Sequence, residues 1–343
     1  MSKVKQYFHD LIYDKKNDAT SGLIKILLLM VSCGYGFLIT AHDFFYKRGL
    51  LRSHNASVQT ISVGNITMGG TGKTPFVTML SERLSKKGKK IGVLIRGYGE
   101  DEWKMLEEAL RKYGAKVFVG RDRVKSAREA EKALINIVIL DDGFQHRRLK
   151  RDIDIVLIDS SNPFGNRHLF PRGVLRENIS SLKRADLIVL TKSDKGGANL
   201  TALKKELKEI IADKKIINAY HNPKGLTDIK TGGAEELAFL KEKKICLVSA
   251  ICDASYFRYT AEKCGTQVNL EFVFPDHYAY KQRDLDKIFS ECSAKGIDAV
   301  ITTEKDAAKL KRLNLASLPC RILTLNVELE INEGEKVLDD VLG

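Results

Sequence analysis

What the chain lacks narrows its chemistry first. Its six cysteines, Cys33, Cys246, Cys252, Cys264, Cys292 and Cys320, form no Cys-x-x-Cys pair and no Cys/His metal spacing. Spacing therefore gives no zinc ribbon, zinc finger or dithiol centre. Scattered thiols of this kind suit small core residues in a reducing compartment. No internal repeat or low-complexity tract stands out. Acidic residues are the minority: 44 Asp and Glu stand against 57 Lys and Arg, a formal net charge of +13. Such an excess points to an anionic partner. No nucleic-acid motif is present, and the aromatics do not interleave with the basic residues, so no nucleic acid is expected. An anionic membrane and a phosphorylated substrate remain. With 43% hydrophobic and 29% charged residues, the composition is globular. At 343 residues the chain can bury one large core or two modest ones, and two domains are expected.

The most informative stretch is Gly64-Asn65-Ile66-Thr67-Met68-Gly69-Gly70-Thr71-Gly72-Lys73-Thr74-Pro75. It follows an apolar run, Val58 to Val63, that reads as a buried strand. It precedes Thr74 to Leu84, which reads as a helix. A glycine-rich turn between strand and helix that ends in Gly-Lys-Thr cradles phosphate. Backbone N–H groups face the phosphate oxygens, the lysine reaches the β- and γ-phosphates, and the threonine hydroxyl binds Mg²⁺. Met68 to Pro75 are thus the expected nucleotide contacts, with ATP and Mg²⁺ as ligands. Thr67 stands where the standard pattern has its first glycine. A variant loop of some switch ATPases fits better, but Met68 replaces the extra lysine those ATPases use.

Past this loop, strands and helices alternate. Strands are expected at Lys90 to Ile95, Lys116 to Val119, Ile135 to Leu140, Asp154 to Ile158 and Leu187 to Leu190. Helices are expected at Glu102 to Tyr113 and Arg123 to Leu134. This is the pattern of an α/β fold: a mostly parallel sheet of the phosphate-loop type with helices on both faces. From about Ala219 to Ala238 the chain reads as loop. A second, smaller α/β block follows, with strands at Ile245 to Val248, Val268 to Phe274, Ala299 to Thr302 and Ile322 to Leu325. The expected division is 1–56, a membrane-associated N-terminal helical segment; 57–218, the nucleotide-binding domain; and 219–343, the smaller α/β domain. In the first segment, Ile26 to Ala41 carries no charge, with Lys15, Lys16 and Lys25 before it and Lys47, Arg48 and Arg52 after it. A bilayer span needs about 20 such residues. The favoured reading is a helix lying in an anionic leaflet. A core helix and a true span are the alternatives; a cleaved signal peptide fits poorly.

Several groups could do chemistry. Asp141-Asp142 ends an apolar strand, where the Mg²⁺-directed acid of a phosphate-loop enzyme belongs. Both are metal candidates, with Thr74. Arg96-Gly97-Tyr98-Gly99 ends another strand, and a carboxylate in Glu100-Asp101-Glu102 could accept a proton from an attacking hydroxyl. The same acids could simply complement a helix dipole. Arg121, Arg123, Arg172 and Arg176 flank nearby loops and suit a phosphate-bearing substrate, or an ordinary solvated surface. His277 follows a strand beside Asp276 and could support proton transfer or be structural. Thr191-Lys192-Ser193-Asp194 is a weak echo of the guanine-reading Asn-Lys-x-Asp motif.

These pieces, in this order, resemble the tetraacyldisaccharide 4′-kinases of lipid A biosynthesis. The elements that carry the resemblance are the 64–75 loop, Arg96-Gly97-Tyr98-Gly99, Asp141-Asp142-Gly143-Phe144-Gln145-His146 and Pro171-Arg172-Gly173-Val174-Leu175-Arg176-Glu177. Phe274-Pro275-Asp276-His277-Tyr278 and Thr302-Thr303-Glu304-Lys305-Asp306 complete the set. The resemblance covers most of the chain. It implies transfer of the γ-phosphate of ATP to the 4′-hydroxyl of a lipid-linked disaccharide 1-phosphate, with Mg²⁺, at the cytoplasmic face of the bacterial inner membrane. It implies catalytic roles for Lys73, Asp101 and His277, with His277 reaching the cleft from the smaller domain. It also implies substrate contacts from Arg121, Arg172, Arg176, Glu177 and Gln145. In that family the catalytic aspartate lies in a Gly-Asp-Glu-Pro motif well after Arg-Gly-Tyr-Gly. Here the interval is shortened, Glu100 follows Gly99, and Trp103 replaces the proline. The competing readings are a membrane-associated phosphate-loop switch ATPase or GTPase and a non-enzymatic nucleotide-binding module.

Overall fold

The computed structural model describes residues 3–16, 18–97, 100–315 and 320–343. In chain order the elements are α1 (Lys3–Ile12), α2 (Ala19–Lys47), β1 (Gln59–Asn65), α3 (Lys73–Lys86), β2 (Ile91–Ile95), α4 (Glu100–Arg111), β3 (Lys116–Val119) and α5 (Arg123–Lys132). Then come β4 (Ile137–Asp141), β5 (Ile153–Asp159), β6 (Leu187–Thr191), α6 (Ser193–Ile211), β7 (Lys215–Asp228), β8 (Ala234–Glu235) and β9 (Lys244–Ser249). The chain ends with α7 (Ala254–Glu262), β10 (Gln267–Val273), α8 (Gln282–Lys295), β11 (Ala299–Thr303), α9 (Glu304–Leu310), β12 (Arg321–Glu333) and α10 (Glu335–Leu342). Two compact units result: Met1–Tyr220 with Ile331–Gly343, and His221–Glu330. The boundary expected at 218/219 falls at 220/221, and the last thirteen residues return to the first unit.

In the first unit the strand order is β7-β6-β5-β1-β4-β2-β3. All six pairings along it are parallel: β7 with β6, β6 with β5, β5 with β1, β1 with β4, β4 with β2 and β2 with β3. Strands covered on both faces read as continuous apolar runs. Accordingly, all five residues of Ile91–Ile95 and of Leu187–Thr191 are buried. Alternate residues serve opposite faces. Val156 and Ile158 join Phe144, Phe164 and Leu207 in one core, while Val138 and Leu140 join Val124, Ala127 and Leu94 in another. The strand β1 lies between β4 and β5, where the winding reverses direction. The carboxyl ends of strands at such a point form the usual ligand crevice of open α/β sheets.

In the second unit β10, β9, β11 and β12 are parallel neighbours. Ile245 and Leu247 of β9 face a core with Phe257 and Leu323, and Cys246 and Val248 face another with Ile288 and Phe289. The cysteines are all free thiols, with Cys246 and Cys292 buried, Cys264 and Cys320 half-buried, and Cys33 and Cys252 exposed.

One expectation needs correction. The stretch from 219, read as loop, is largely strand: β7 runs for fourteen residues to Asp228, and β8 pairs with it antiparallel. His221, Asn222, Pro223 and Lys224 carry too little apolar signal to show this, because pairing rather than local propensity makes the strand. The apolar N-terminal run also extends beyond 26–41. The helix α2 has 29 residues and is long and apolar enough to cross a membrane by length and composition. Asp18 caps it, its carboxylate accepting the Ser21 N–H at 3.2 Å.

Candidate active site

The phosphate loop starts at Gly64, where close packing forbids any side chain. A Cβ there would lie 2.7 Å from the Phe144 backbone nitrogen. The next residues are fixed by a neighbouring segment: Arg176 N–H donates to Ile66 O and Met68 N–H to Val174 O, both at 2.7 Å. The Asn65 amide donates to Thr71 Oγ1 at 2.9 Å, and Thr71 O accepts from the Thr191 hydroxyl at 3.0 Å. Gly72, at φ 81°, then turns the chain into α3 and leaves the helix N-terminus without a side-chain cap. Its first-turn N–H groups and the macrodipole therefore remain for an anion. Lys73 and Thr74 open this helix, and Thr74 is exposed.

Asp141 and Asp142 diverge. Asp141 is the last residue of β4, and its Oδ1 is buried with no protein partner. Burial, and then the neighbouring Asp142 charge, push its carboxyl up to about 6 against the pull of Lys73 and Arg123. A buried carboxylate oxygen left without a donor suits a hard cation. Asp142 adopts φ 55° and turns toward cations. It accepts from Arg176 Nη1 at 2.8 and 2.9 Å and lies 3.4 Å from Lys73 Nζ. Burial alone would raise its carboxyl, but Lys73 and Arg176 hold it below the ordinary value. Of the two acids, Asp141 therefore has the free oxygen and Asp142 is engaged. Among the described residues no three His, Cys, Asp or Glu side chains group to hold a metal. Thr74 and Asp141 nevertheless fit Mg²⁺, which takes one or two protein oxygens and leaves its remaining positions to phosphates and water.

The other candidates divide. Gln145, Arg176 and Glu177 come together: the Gln145 amide donates to Asn65 O at 2.9 Å and to Glu177 Oε1 at 3.1 Å, and Arg176 reaches Gln145 Oε1 at 3.5 Å. Glu177 is itself buried and paired with Arg184 at 2.8 Å. Arg172 is instead buried on Asp14 at 2.7 Å, a pairing that ties the N-terminal segment down. Arg121 is exposed between β3 and α5, beyond an edge strand three positions from β1. Tyr98 and Gly99 lie outside the described residues, as does the side chain of Asp101, whose backbone belongs to α4. In the second unit, His277 sits at φ 61° with Nε2 3.5 Å from Asp276 Oδ2. The other Asp276 oxygen lies 3.2 Å from Lys305 Nζ, and the Cys252 thiol donates to Oδ2 at 2.7 Å.

Sequence reasoning missed several participants. Asn65 and Thr191 brace the loop. Arg123, read as a flanking cation, is buried with Nη1 donating to Gly120 O at 2.7 Å. Arg184, at the end of a 3₁₀ turn (Ile179–Arg184), carries no local motif at all. The guanine-like run has internal duties instead. Lys192 is buried against Asp159, and Ser193 donates to Ala219 O at 3.0 Å.

A lysine-bearing phosphate loop at the reversal point of a parallel sheet, with a buried acid ending the adjacent strand, defines a phosphate-loop nucleotide-binding α/β protein. Residues 24–343 match the family model described as tetraacyldisaccharide-1-P 4′-kinase, and the chain belongs to that family. It is 33% identical to the tetraacyldisaccharide 4′-kinase of Anaeromyxobacter dehalogenans (strain 2CP-C), over 92% of this chain and 89% of that one. It is also 33% identical to that of Desulfatibacillum aliphaticivorans, over 94% and 93%. Its fold is similar to that of LpxK from Aquifex aeolicus, solved in complex with ATP. The TM-score is 0.71, at 27% identity, with 93% of this chain and 98% of that one covered.

Proposed function

We propose that this chain transfers the γ-phosphoryl group of ATP to the 4′-hydroxyl of a tetraacyldisaccharide 1-phosphate. The observation that carries this reading is the phosphate loop with Lys73 beside the orphaned Asp141 oxygen, in a chain that matches the kinase family along most of its length. Lys73 neutralises charge on the β- and γ-phosphates, and the N–H groups at the start of α3 orient them. Thr74 and Asp141 would hold Mg²⁺, which offsets phosphate charge during transfer. Arg176, held by the same Asp142 that lies 3.4 Å from Lys73, is the candidate for the transferring group or the acceptor's phosphate. Arg121 is the second candidate for the acceptor. Asp101 would accept the hydroxyl proton, with His277 assisting it. Gln145 and Glu177 brace Arg176 rather than meet the substrate directly.

The helix α2 supports a peripheral seat on an anionic membrane, and the use of ATP argues for the cytoplasmic face. Leu23, Ile26, Met30, Val31, Phe37 and Leu38 are all more than half exposed. The opposite side of the helix is engaged by protein. Ser32 donates to Leu169 O at 2.8 Å, the Tyr35 hydroxyl to Arg176 O at 3.1 Å, and Asp43 pairs with Arg147 and Arg184. From Ser32 to Asp43 the helix rises about 16 Å. Attachment to the globular unit over that length supports a helix lying in one leaflet rather than crossing the bilayer.

The direct test is transfer of label from γ-labelled ATP to purified disaccharide lipid. Label on the lipid, dependent on Lys73, is the expected result. Label found only as free phosphate, with or without lipid, means an ATPase and ends the kinase reading.

A further inference from the structure

The helix α2 and the phosphate loop are joined by an unbroken run of charged and polar groups. Asp43, near the C-terminal end of α2, pairs with Arg147 and, through Oδ2, lies 3.4 Å from Arg184 Nη1. Lys47 is its third cation, at 3.7 Å. Arg184 packs over the Phe144 ring at 4.3 Å and forks onto Glu177 at 2.8 and 3.1 Å. Glu177 accepts from Gln145, Gln145 accepts from Arg176, and Arg176 holds Asp142, which lies 3.4 Å from Lys73. The side chains nearest the helix are well sequestered: Asp43 is 19% exposed, Arg184 14% and Glu177 5%. Charged hydrogen bonds are strong in such surroundings, and a lost partner leaves the next group uncompensated. A second tether runs alongside, from Ser32 and Tyr35 to the backbone of the segment that ends in Arg176.

We propose that Asp43 is a positioning residue for phosphoryl transfer. It fixes Arg184, and through Glu177 and Gln145 it sets Arg176 and Asp142 against Lys73. The apolar helix is thereby part of the scaffold of the phosphate site as well as a lipid-facing surface. Asp43 acts only through its neighbours. This assignment rests on the kinase reading for its rate measurement but not for its nucleotide-affinity measurement.

The test is a cycle of Asp43→Asn, Arg176→Ala and the double variant, with Asp43→Glu as the conservative control. Three quantities are read: kcat and KM for lipid labelling in mixed micelles, affinity for a non-hydrolysable ATP analogue by calorimetry, and flotation with anionic vesicles. Asp43→Asn should float as the unaltered protein does, because the apolar face is untouched. Its kcat should fall about tenfold with the lipid KM within about twofold, since small misplacement of a charged group costs rate rather than uniform binding. Asp43→Glu should recover most of that rate. The double variant should fall no more than about twofold below Arg176→Ala, the non-additivity expected of one connected network. An unchanged kcat, effects that multiply, or a loss confined to flotation or lipid KM would overturn the assignment. If Asp43→Asn fails to fold, Arg184→Lys, which keeps the charge and breaks the fork, takes its place with the same expectations. If the unaltered protein labels no lipid, the kinase reading fails separately. Analogue affinity then decides: a several-fold weakening that is non-additive with Arg176→Ala upholds the positioning role, and no change overturns it.

Discussion

Asp141 sets stability against function at a single residue. Its folded carboxyl titrates near 6, against an ordinary value of 3.8. In that window the native state holds more protons than the unfolded chain, so metal-free stability falls as pH rises from about 4 to about 6. Asp141→Asn removes this dependence. With a chelator present at pH 7, the variant should be more stable by about 1–3 kcal/mol, read as a raised Tm, while turnover is lost. A variant no more stable than the parent would mean that the carboxylate is better solvated than its buried oxygen indicates. At Lys73 the expectation is simpler. Lys73→Ala should leave the protein folded, with a lowered Tm because Asp141 and Asp142 lose a cation, and lower kcat by at least about 10²–10³-fold, because its charge matters most as the phosphoryl group moves. Near-normal turnover would remove the phosphate-loop mechanism.

At the scale of elements, the two sides of α2 have separable duties. The exposed side should govern lipid attachment. Phe37 is 73% and Leu38 66% exposed, so Phe37→Glu with Leu38→Glu should cut partitioning onto anionic vesicles by at least about tenfold, with little change in Tm. Attachment of the unaltered protein should weaken with salt yet persist, because apolar burial outlasts screening of the flanking lysines and arginines. Equal flotation of both proteins would place the anchor elsewhere. The β1–α3 turn offers a contrasting test. Gly64→Ala pushes a methyl group into the Phe144 backbone, where nothing flexible can yield. It should cost about 1–3 kcal/mol in denaturant melts and weaken nucleotide binding together with stability.

Across the whole molecule, the chain closes on itself. The last helix, α10, belongs to the first unit although it follows the second in sequence. Leu338 and Leu342 on it are buried, and Arg83 of α3 forks onto Asp339 at 2.9 and 2.5 Å. The Arg83 pair is partly exposed and contributes little; the leucines hold the helix. Leu338→Ala should therefore destabilise the nucleotide-binding unit by about 2–4 kcal/mol. Hydrogen exchange should show the loss in strands of the first unit, such as β1 and β4. Faster exchange confined to β9 and β11 would contradict the division into units.

By itself the sequence determined the α/β class, the phosphate loop and the family. These signals are local: an apolar run of strand length, glycines at a turn that needs a bare backbone, and a lysine and threonine in fixed register after it. Asp141 at a strand end was legible for the same reason. What the sequence could not separate was Asp141 from Asp142, since both close one strand. Only the fold turned one toward Lys73 and Arg176 and left the other with a buried free oxygen. Arg172 and Glu177 read as substrate contacts, but tertiary packing buried them on Asp14 and Arg184, partners distant in sequence or without a motif. The β7 strand was invisible because its partners, not its residues, extend it. The return of residues 331–343 was likewise decided by packing, because a short amphipathic helix carries no mark of the surface that will bury it. Local patterns encode backbone geometry and chemistry over a few residues, whereas pairing of charges and docking of helices depend on groups that meet only once the chain has folded.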